Sequence, residues 1–296
     1  MNVVAIDMDG TLLHSKKYIS KQNARALNRL RSEGHKLVIA TGRGIEDVEH
    51  LLEDAGIEAD GIVSLNGAIV NRGHAVVYEN VMEKETALRV VQSLEDFGVY
   101  FHVYTNKGMF YMPKGWQYFM EDAHELVKEE DDYEDRMAEF KRKEEYNTGR
   151  FHMHQLRSLE DIEGEDVHVY KFLMLSPLED KLAAVRSAWK IRQDVSITSS
   201  GRDNLEFMHP NTEKGAGLHH LRIQAGWEEA FTFAIGDNFN DVSMFRYADT
   251  AIAMENSEQE VKLLADEQTS HNDDHGVAQA VYDYVLSSTR RKAEPR

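Results

Sequence analysis

The stretch Val3-Val4-Ala5-Ile6-Asp7-Met8-Asp9-Gly10 places two carboxylates, one residue apart, directly after a short apolar run. Residues 3–6 predict a buried strand, because the run is too short for an ordinary helix, and Gly10 permits a sharp turn after it. In extended geometry Asp7 and Asp9 project to the same side, where each makes the other harder to ionise. A divalent cation would relieve that repulsion. The alternative is an Asp-x-Asp-Gly turn that only ends the strand.

Short apolar runs followed by polar turns recur along the chain. Residues 37–40 end in Thr41-Gly42-Arg43, and residues 62–65 end in Asn66-Gly67-Ala68. Helical patterns over 21–33 and 45–55 separate these runs, with Gly34 typical of a helix end. The alternation of strand and helix predicts an α/β fold: a Rossmann-like parallel sheet with helices on both faces.

Apolar runs followed by polar turns occur again near the end of the sequence. Residues 231–235 are apolar and lead into Gly236-Asp237-Asn238-Phe239-Asn240-Asp241, and residues 250–254 predict one more strand. In open parallel sheets, ligands bind beyond the carboxyl ends of the strands. Polar residues that follow different strands are therefore expected to converge: Asp7, Asp9, Thr41, Asn66 and Asp237.

The pattern changes between residues 82 and 208. A helix is predicted over 83–97, a hairpin around Thr105–Gly108, a charged, solvated helix with a loop within 116–146, and further strands over 167–175, 195–198 and 205–208. This mixture predicts an α+β domain inserted into the α/β core. The expected domains are residues 1–81 as the first part of the core, 82–208 as an inserted cap domain and 209–296 as the second part. The two crossings between them, near 81–84 and 207–212, are hinge candidates.

Composition restricts the class of protein. The chain has 296 residues, 34 Lys plus Arg against 52 Asp plus Glu, a net charge of −18 at pH 7 and no cysteine. The charge repels nucleic acid and anionic membrane surfaces, so neither is expected as a partner. The absence of cysteine excludes disulfides and thiol catalysis, and with no apolar stretch of membrane-spanning length we expect a cytoplasmic protein. The polar residues 290–296 are expected to fray.

The separated polar pieces fit one reaction. Asp7 can act as a carboxylate nucleophile that forms an aspartyl-phosphate. Asp9 can protonate the leaving oxygen and then activate water, and we expect it to be protonated before attack. Asp237 is suited to complete a Mg²⁺ site with Asp7, and Asp241 would support that site.

Such a site needs a basic residue, because four carboxylates and a phosphate dianion exceed the charge of one magnesium ion. Lys214 is the candidate, since it precedes a helical stretch, 215–224, whose N-terminal amides add positive field. The Thr41 hydroxyl and the Gly42 amide can donate to phosphoryl oxygens, as can the turn at Gly10 and Thr11. For Asn66 the choice between phosphate contact and turn formation stays open. The alternatives are a surface lysine at Lys214, a strand-end hydroxyl at Thr41, and an Arg43 that only pairs with a core acid. For Asp237 and Asp241 the alternative is a loop or helix-capping role.

Together these motifs resemble the haloacid dehalogenase superfamily, specifically its Cof-type phosphatases with a large inserted cap of type IIB. Four motifs occur in the family's order: Asp7-Met8-Asp9-Gly10-Thr11-Leu12-Leu13, Ala40-Thr41-Gly42-Arg43, Lys214-Gly215 and Gly236-Asp237-Asn238-Phe239-Asn240-Asp241. Asn66-Gly67-Ala68 and residues 269–278 are similar to further Cof-type landmarks. One departure is Glu255, where relatives usually carry glycine before the asparagine.

The resemblance implies roles for individual residues. Asp7 would be the nucleophile and Asp9 the acid/base, with Mg²⁺ held by Asp7, the Asp9 carbonyl and Asp237. Lys214 and Asn240 would contact the phosphate. We therefore expect a Mg²⁺-dependent phosphatase that hydrolyses a small phosphorylated metabolite, such as a sugar phosphate, flavin mononucleotide or a similar phosphomonoester. The alternatives are a phosphomutase acting on a sugar phosphate and a non-catalytic phosphometabolite-binding protein.

Overall fold

The computed structural model describes residues 1–150, 153–157 and 160–287. It divides into two compact units: the first comprises Met1–Glu79 and the chain from Thr212 onward, and the second comprises Asn80–Asn211. The second unit is therefore wider than the expected 82–208. Glu79 still belongs to a strand of the first unit, whereas Met208 ends a strand of the second, so the crossings come after both strands. The expected frayed tail at 290–296 lies outside the described residues.

The strands, in chain order, are β1 (Asn2–Ile6), β2 (Lys36–Ala40), β3 (Gly61–Ser64), β4 (Ile69–Arg72), β5 (Ala75–Glu79), β6 (Tyr100–Thr105), β7 (Gly108–Tyr111), β8 (His154–Gln155), β9 (Val169–Leu175), β10 (Ser196–Thr198), β11 (Asn204–Met208), β12 (Phe231–Gly236), β13 (Thr250–Met254) and β14 (Glu267–Thr269).

The α-helices are α1 (Lys21–Ser32), α2 (Ile45–Asp54), α3 (Lys84–Asp96), α4 (Pro113–Val127), α5 (Tyr133–Arg150), α6 (Glu160–Glu163), α7 (Glu179–Trp189), α8 (Lys214–Ala225), α9 (Val242–Tyr247), α10 (Gln259–Lys262) and α11 (Gly276–Ala280). Shorter or irregular helical turns cover Met8–Leu12, Leu65–Gly67, Phe239–Asp241, Asn272–Asp274 and Val281–Leu286. None of the helices in the described part of the chain has the length and hydrophobicity needed to cross a lipid bilayer.

The first unit is built on one eight-stranded sheet, ordered β14-β13-β12-β1-β2-β3-β4-β5. The strands from β14 to β3 run parallel, whereas β4 and β5 form an antiparallel hairpin at the edge. The sequence analysis did not predict this hairpin. Its turn at Gly73, with a φ of +57°, is the signal that could have found it.

Helices cover both faces of this sheet, as predicted. In β1, Val4 and Ile6 join an apolar cluster that includes residues of α1, α2 and α11. The intervening Val3 and Ala5 join a second cluster with residues of α8 and α9. Because successive side chains of a strand point to opposite faces, one continuous apolar run contributes to two cores. The predicted α/β class is confirmed.

The second unit is an α+β domain with a six-stranded sheet, ordered β10-β11-β9-β6-β7-β8, antiparallel except between β7 and β8. One face packs Phe101, Phe172 and Phe207 against α3 and α7. The charged segment predicted as a solvated helix with a loop instead forms α4 and α5. Helix α4 is not fully solvated, because Phe119, among other side chains, is buried.

Candidate active site

Strand register brings three of the predicted residues to one edge of the first sheet. Ile6 pairs with Ile39 on one side and with Ile235 on the other. Asp7, Thr41 and Asp237 therefore follow three adjacent parallel strands, and parallel strands end at the same edge. The Asp7 amide donates to the carbonyl of Ile235 at 3.0 Å, which extends the pairing to the start of the turn.

A buried lysine joins two of the carboxylates at this edge. Nζ of Lys214 donates to Oδ1 of Asp7 at 2.5 Å and to Oδ1 of Asp241 at 2.7 Å. Lys214 is only 1% exposed and is the first residue of α8, so its charge adds to the positive end of that helix. The basic group that the charge balance required is thus in contact with the candidate nucleophile.

The third carboxylate is oriented by the turns around it. Oδ1 of Asp237 accepts a hydrogen bond from the Thr11 hydroxyl at 2.7 Å. Oδ2 of the fully buried Asp241 accepts from the amides of Asp237 and Asn238 at 2.9 and 3.0 Å. Asp241 therefore both caps the turn Phe239–Asp241 and holds Lys214, so the capping interpretation and the supporting role apply together.

Two glycines allow this close packing. Gly10 has a φ of +79°, and a Cβ atom built on it would overlap the carboxylate of Asp237. A Cβ on Gly236 would overlap the side chain of Asp241. Any larger residue at either position would push the acidic side chains away from each other.

The acidic cluster has the composition of a magnesium site. Asp7, Asp237 and Asp241 each offer an oxygen, and these oxygens all lie within 4.8 Å of one another. Burial and the charge of Asp241 raise the pKa of Asp7, against the opposing effect of Lys214. Burial and the charge of Asp241 raise the pKa of Asp237 to about 6, although the bond from Thr11 opposes this. Crowded, buried oxygens that resist ionisation are suited to a hard divalent cation, so these residues fit Mg²⁺.

The carboxylate of Asp9 lies in a different, basic environment. Arg43 donates to it twice, from Nε at 2.6 Å and from an Nη atom at 2.7 Å, and Nζ of Lys17 donates at 2.9 Å. Burial raises the pKa of Asp9, but the bonds and charge of Arg43, helped by Lys17, outweigh it and hold that pKa below its ordinary value. These cations therefore favour the ionised form of Asp9, whereas the sequence pattern led us to expect a protonated Asp9 before attack.

Arg43 and Lys17 are the residues that the sequence analysis did not assign to the site. Arg43 does pair with a core acid, as one interpretation held, because it also donates to the buried Asp47. Its second partner is the candidate acid/base. The signal was its place directly after Thr41-Gly42, at the end of a strand adjacent to β1. Lys17, with a φ of +64°, carried no comparable pattern.

The remaining predicted residues form a linked group. The Asn66 amide donates to the carbonyl of Thr41 at 2.8 Å, and Nδ2 of Asn240 donates to Oδ1 of Asn66 at 3.3 Å. A Cβ on Gly42 would lie 3.2 Å from the same Asn66 oxygen. Asn66, with a φ of +57°, forms the turn it shares with Gly67 and also bridges two of the candidate phosphate-binding segments.

The comparison with known families agrees with this geometry. Residues 4–281 match the model of the haloacid dehalogenase-like hydrolases. The chain belongs to this family. This match confirms the resemblance drawn from the motifs, and the enzyme class expected from it.

Relatives match over nearly the whole chain. The phosphatase YwpJ of Bacillus subtilis is 29% identical over 281 residues, which cover 94% of this chain and 98% of that protein. A second B. subtilis protein, YwtE, is named as a 5-amino-6-(5-phospho-D-ribitylamino)uracil phosphatase and is 31% identical over 97% of this chain and 99% of its own length. The solved structure of a haloacid dehalogenase-like hydrolase from B. subtilis superposes with a TM-score of 0.81 at 28% identity, covering 96% of this chain and all of that one. The family fold therefore extends through both units.

Proposed function

We propose that this protein is a Mg²⁺-dependent phosphatase that hydrolyses a small phosphorylated metabolite through an aspartyl-phosphate on Asp7. The observation that carries the proposal is the contact between Lys214 and Asp7 inside a buried group of metal-suited carboxylates. A buried carboxylate beside a phosphoryl group can hold the ion and can also attack phosphorus, whereas a site that only bound phosphate would use it for the ion alone.

The residues divide the reaction into two displacements. In the first, an oxygen of Asp7 attacks phosphorus, and the bond from phosphorus to the leaving oxygen breaks. In the second, a water oxygen attacks the same phosphorus, its proton passes to Asp9, and the bond to Asp7 breaks with release of inorganic phosphate. Ionised Asp9 is ready for the second step. To protonate the leaving oxygen in the first step, it must take up a proton, which requires that it loosen its bonds to Arg43.

Other residues of the chain bind and neutralise the phosphoryl group in this proposal. Lys214 supplies a buried positive charge, and the Thr41 hydroxyl, the Gly42 amide and the Asn240 side chain donate hydrogen bonds. Asp7, the Asp9 carbonyl and Asp237 would hold Mg²⁺, with Asp241 orienting Lys214 and the turn that carries Asp237. The ion, when bound, would supply positive charge that offsets the phosphoryl oxygens.

The substrate class rests on the chemistry of the site and on the relatives. YwtE acts, by its name, on 5-amino-6-(5-phospho-D-ribitylamino)uracil, which is a small phosphomonoester. We propose a substrate of the same chemical class: a sugar phosphate, flavin mononucleotide or a similar phosphomonoester. The net charge of −18 disfavours nucleic acid and anionic membranes as partners. We also propose a cytoplasmic location.

The test is the release of inorganic phosphate from p-nitrophenyl phosphate and from a panel of phosphorylated metabolites, with Mg²⁺ or with EDTA. We expect activity only with Mg²⁺, and a loss of about 10³-fold or more in Asp7→Asn. Asp54→Asn, at an exposed aspartate paired with His50, is the matched control and should retain full activity. Activity that survives in Asp7→Asn would refute the nucleophile.

Product analysis in the same assay separates the alternatives. A phosphomutase would return an isomeric sugar phosphate in place of inorganic phosphate, because its intermediate is recaptured by substrate. A non-catalytic binding protein would bind members of the panel in calorimetry without turning any of them over.

A further inference from the structure

The turn after β1 is held by three asparagine side chains. Nδ2 of Asn256 donates to the carbonyl of Gly10 at 2.7 Å, Nδ2 of Asn23 donates to Leu12 at 3.2 Å, and Nδ2 of Asn272 donates to Leu13 at 2.8 Å. Three backbone carbonyls within four residues are thus bound by side-chain amides from distant parts of the first unit. Such bonds fix the backbone of the turn that carries Asp9 and Thr11.

Two of these asparagines are oriented by a second bond. Oδ1 of Asn256 accepts a hydrogen bond from the backbone N–H of Asn272 at 3.1 Å. Oδ1 of Asn23 accepts one from the backbone N–H of Ala278 at 3.0 Å. A side-chain amide that donates to a carbonyl and accepts from an N–H has only one orientation that satisfies both. Asn272 is itself buried. The segment 272–278 therefore stabilises the turn by orienting the side chains of Asn256 and Asn23.

The bond from Asn256 has a direct consequence for the chemistry. The peptide between Gly10 and Thr11 is planar and trans, so its N–H points away from its carbonyl. By holding the Gly10 carbonyl, Asn256 sets the direction of the Thr11 amide. The hydroxyl of the same Thr11 donates to Asp237, and Gly10 lies against that carboxylate. One side chain thus orients a potential oxyanion donor and supports a candidate metal ligand.

We propose that Asn256 is a positioning residue for phosphoryl transfer, acting through the Gly10–Thr11 peptide, and that Asn272 keeps it in place. The inference rests on the proposed function, because positioning matters only if a phosphoryl group is bound at this turn. Misplacement of a donor by about 1 Å is sufficient to lower a rate about 100-fold. Loss of Asn256 is therefore expected to change kcat more than KM, since the turn is needed most where charge develops.

The test compares Asn256→Ala with a matched control in the second unit. Asn106 makes the same pair of bonds, donating Nδ2 to the carbonyl of Asp166 at 2.9 Å and accepting from the His168 amide at 2.8 Å. We expect Asn256→Ala to lower kcat by about 10- to 100-fold with KM changed by less than about 3-fold. Asn106→Ala should leave both constants unchanged. Asn272→Ala keeps the backbone amide that orients Asn256 and removes only the side-chain bond to the Leu13 carbonyl, so it should show a smaller loss of kcat.

A second measurement does not depend on turnover. Orthovanadate, which can become five-coordinate and so resembles the transition state of phosphoryl transfer, is titrated calorimetrically into the full-length protein with Mg²⁺. We expect Asn256→Ala to weaken its affinity about 10-fold and Asn106→Ala to leave it unchanged. Should Asn256→Ala fold poorly, Asn256→Asp keeps the acceptor for the Asn272 backbone amide and replaces the donor by a carboxylate oxygen that repels the Gly10 carbonyl, so the same losses are expected.

The outcomes separate the inference from the function. Wild-type kcat and vanadate affinity in folded Asn256→Ala would overturn the inference, as would a loss of kcat that only follows the folded fraction measured by near-ultraviolet circular dichroism. If the wild type turns over no phosphomonoester, binds vanadate, and loses that binding in Asn256→Ala, the proposed function fails, and Asn256 positions the turn for a bound oxyanion only.

Discussion

The acidic residues of the site differ in the charges around them and in their burial, since the Asp9 side chain is 41% exposed and that of Asp7 only 6%. Asp7 and Asp237 face Asp241, which raises the pKa of both, although Lys214 reduces the effect. Asp9, two residues from Asp7 in sequence, faces Arg43 and has a lowered pKa. Groups whose pKa values are pushed apart in this way are suited to different roles in one reaction. Here one environment favours a cation and the other favours an ionised base.

The raised pKa of Asp237 predicts how the metal-free protein responds to pH. The folded pKa is about 6, whereas an unfolded aspartate titrates near about 4. The folded state therefore keeps the proton between these values, and the contribution of Asp237 to stability is lost as pH rises through that range. We expect Asp237→Asn to raise the melting temperature of metal-free protein at pH 7.5 by a few degrees, at about 2–4 °C per kcal/mol.

The measurement is differential scanning calorimetry in EDTA and in excess Mg²⁺. Wild-type protein should gain stability from Mg²⁺, and Asp237→Asn should gain little or none. Asp54→Asn, which removes an exposed carboxylate, is the control and should respond to Mg²⁺ as the wild type does. An Asp237→Asn protein that melts lower than the wild type in EDTA would contradict the assignment of repulsion to this residue.

Helix α8 positions Lys214 because it packs unusually close to its neighbours. A Cβ on Gly215 would overlap the backbone carbonyl of Ser243 at the start of α9, and the Gly215 amide donates to the hydroxyl of Ser243 at 3.0 Å. Two residues further on, a Cβ on Gly217 would overlap Val63 of β3. Small residues at the first turns of α8 therefore let its N-terminus, and Lys214 with it, reach the acidic cluster.

Gly215→Ala is expected to push α8 away from α9. Because the overlap is with backbone and not with a flexible side chain, we expect a loss of about 1–3 kcal/mol in the free energy of unfolding of the first unit. The measurement is urea denaturation followed by the fluorescence of Trp227. Gly44→Ala is the control, since its Cβ meets open space at an ordinary φ of −71°, and its cost should stay below about 1 kcal/mol. Equal losses in the two variants would contradict the packing argument.

The whole molecule contains two units, each with its own apolar core. The two clusters of the first unit contain residues of that unit alone, and the cluster built on β6, β9 and β11 contains residues of the second unit alone. The tryptophans divide in the same way: Trp227 belongs to the first unit, and Trp116 and Trp189 belong to the second. Because the cores are separate, we expect the two units to unfold in separate transitions. A bound ion would stabilise only the first unit, which contains the acidic cluster.

We therefore expect Mg²⁺ to stabilise only the transition reported by Trp227. At a free Mg²⁺ concentration of about 100 times its Kd, the free energy of unfolding of the first unit should rise by about 2.7 kcal/mol. The measurement uses Trp227→Phe, which leaves the probes of the second unit, and a Trp116→Phe, Trp189→Phe double variant, which leaves the probe of the first. Equal Mg²⁺-induced shifts in both variants would show that the units unfold together.

The amino-acid sequence by itself determined the parallel core, the inserted domain and the residues at the strand ends. Apolar runs of strand length, separated by helical patterns, predicted β1, β2, β3, β12 and β13, because the spacing of apolar residues is a local property of the chain. It also predicted that Asp7 and Asp237 would meet, since the carboxyl ends of parallel strands share an edge. The antiparallel hairpin of β4 and β5 was missed because β5 is largely exposed and so has no buried apolar run.

Only the tertiary structure decided which side chains pair within the site. Arg43 and Asp9 are 34 residues apart, Lys214 and Asp7 are 207 apart, and Asn256 and Gly10 are 246 apart. Their contacts depend on strand order, on strand register and on the packing of α8. No local sequence pattern predicts these three features. The pairing with Arg43 lowers the pKa of Asp9. A pKa reflects the groups that folding places around a carboxylate and not its neighbours in sequence.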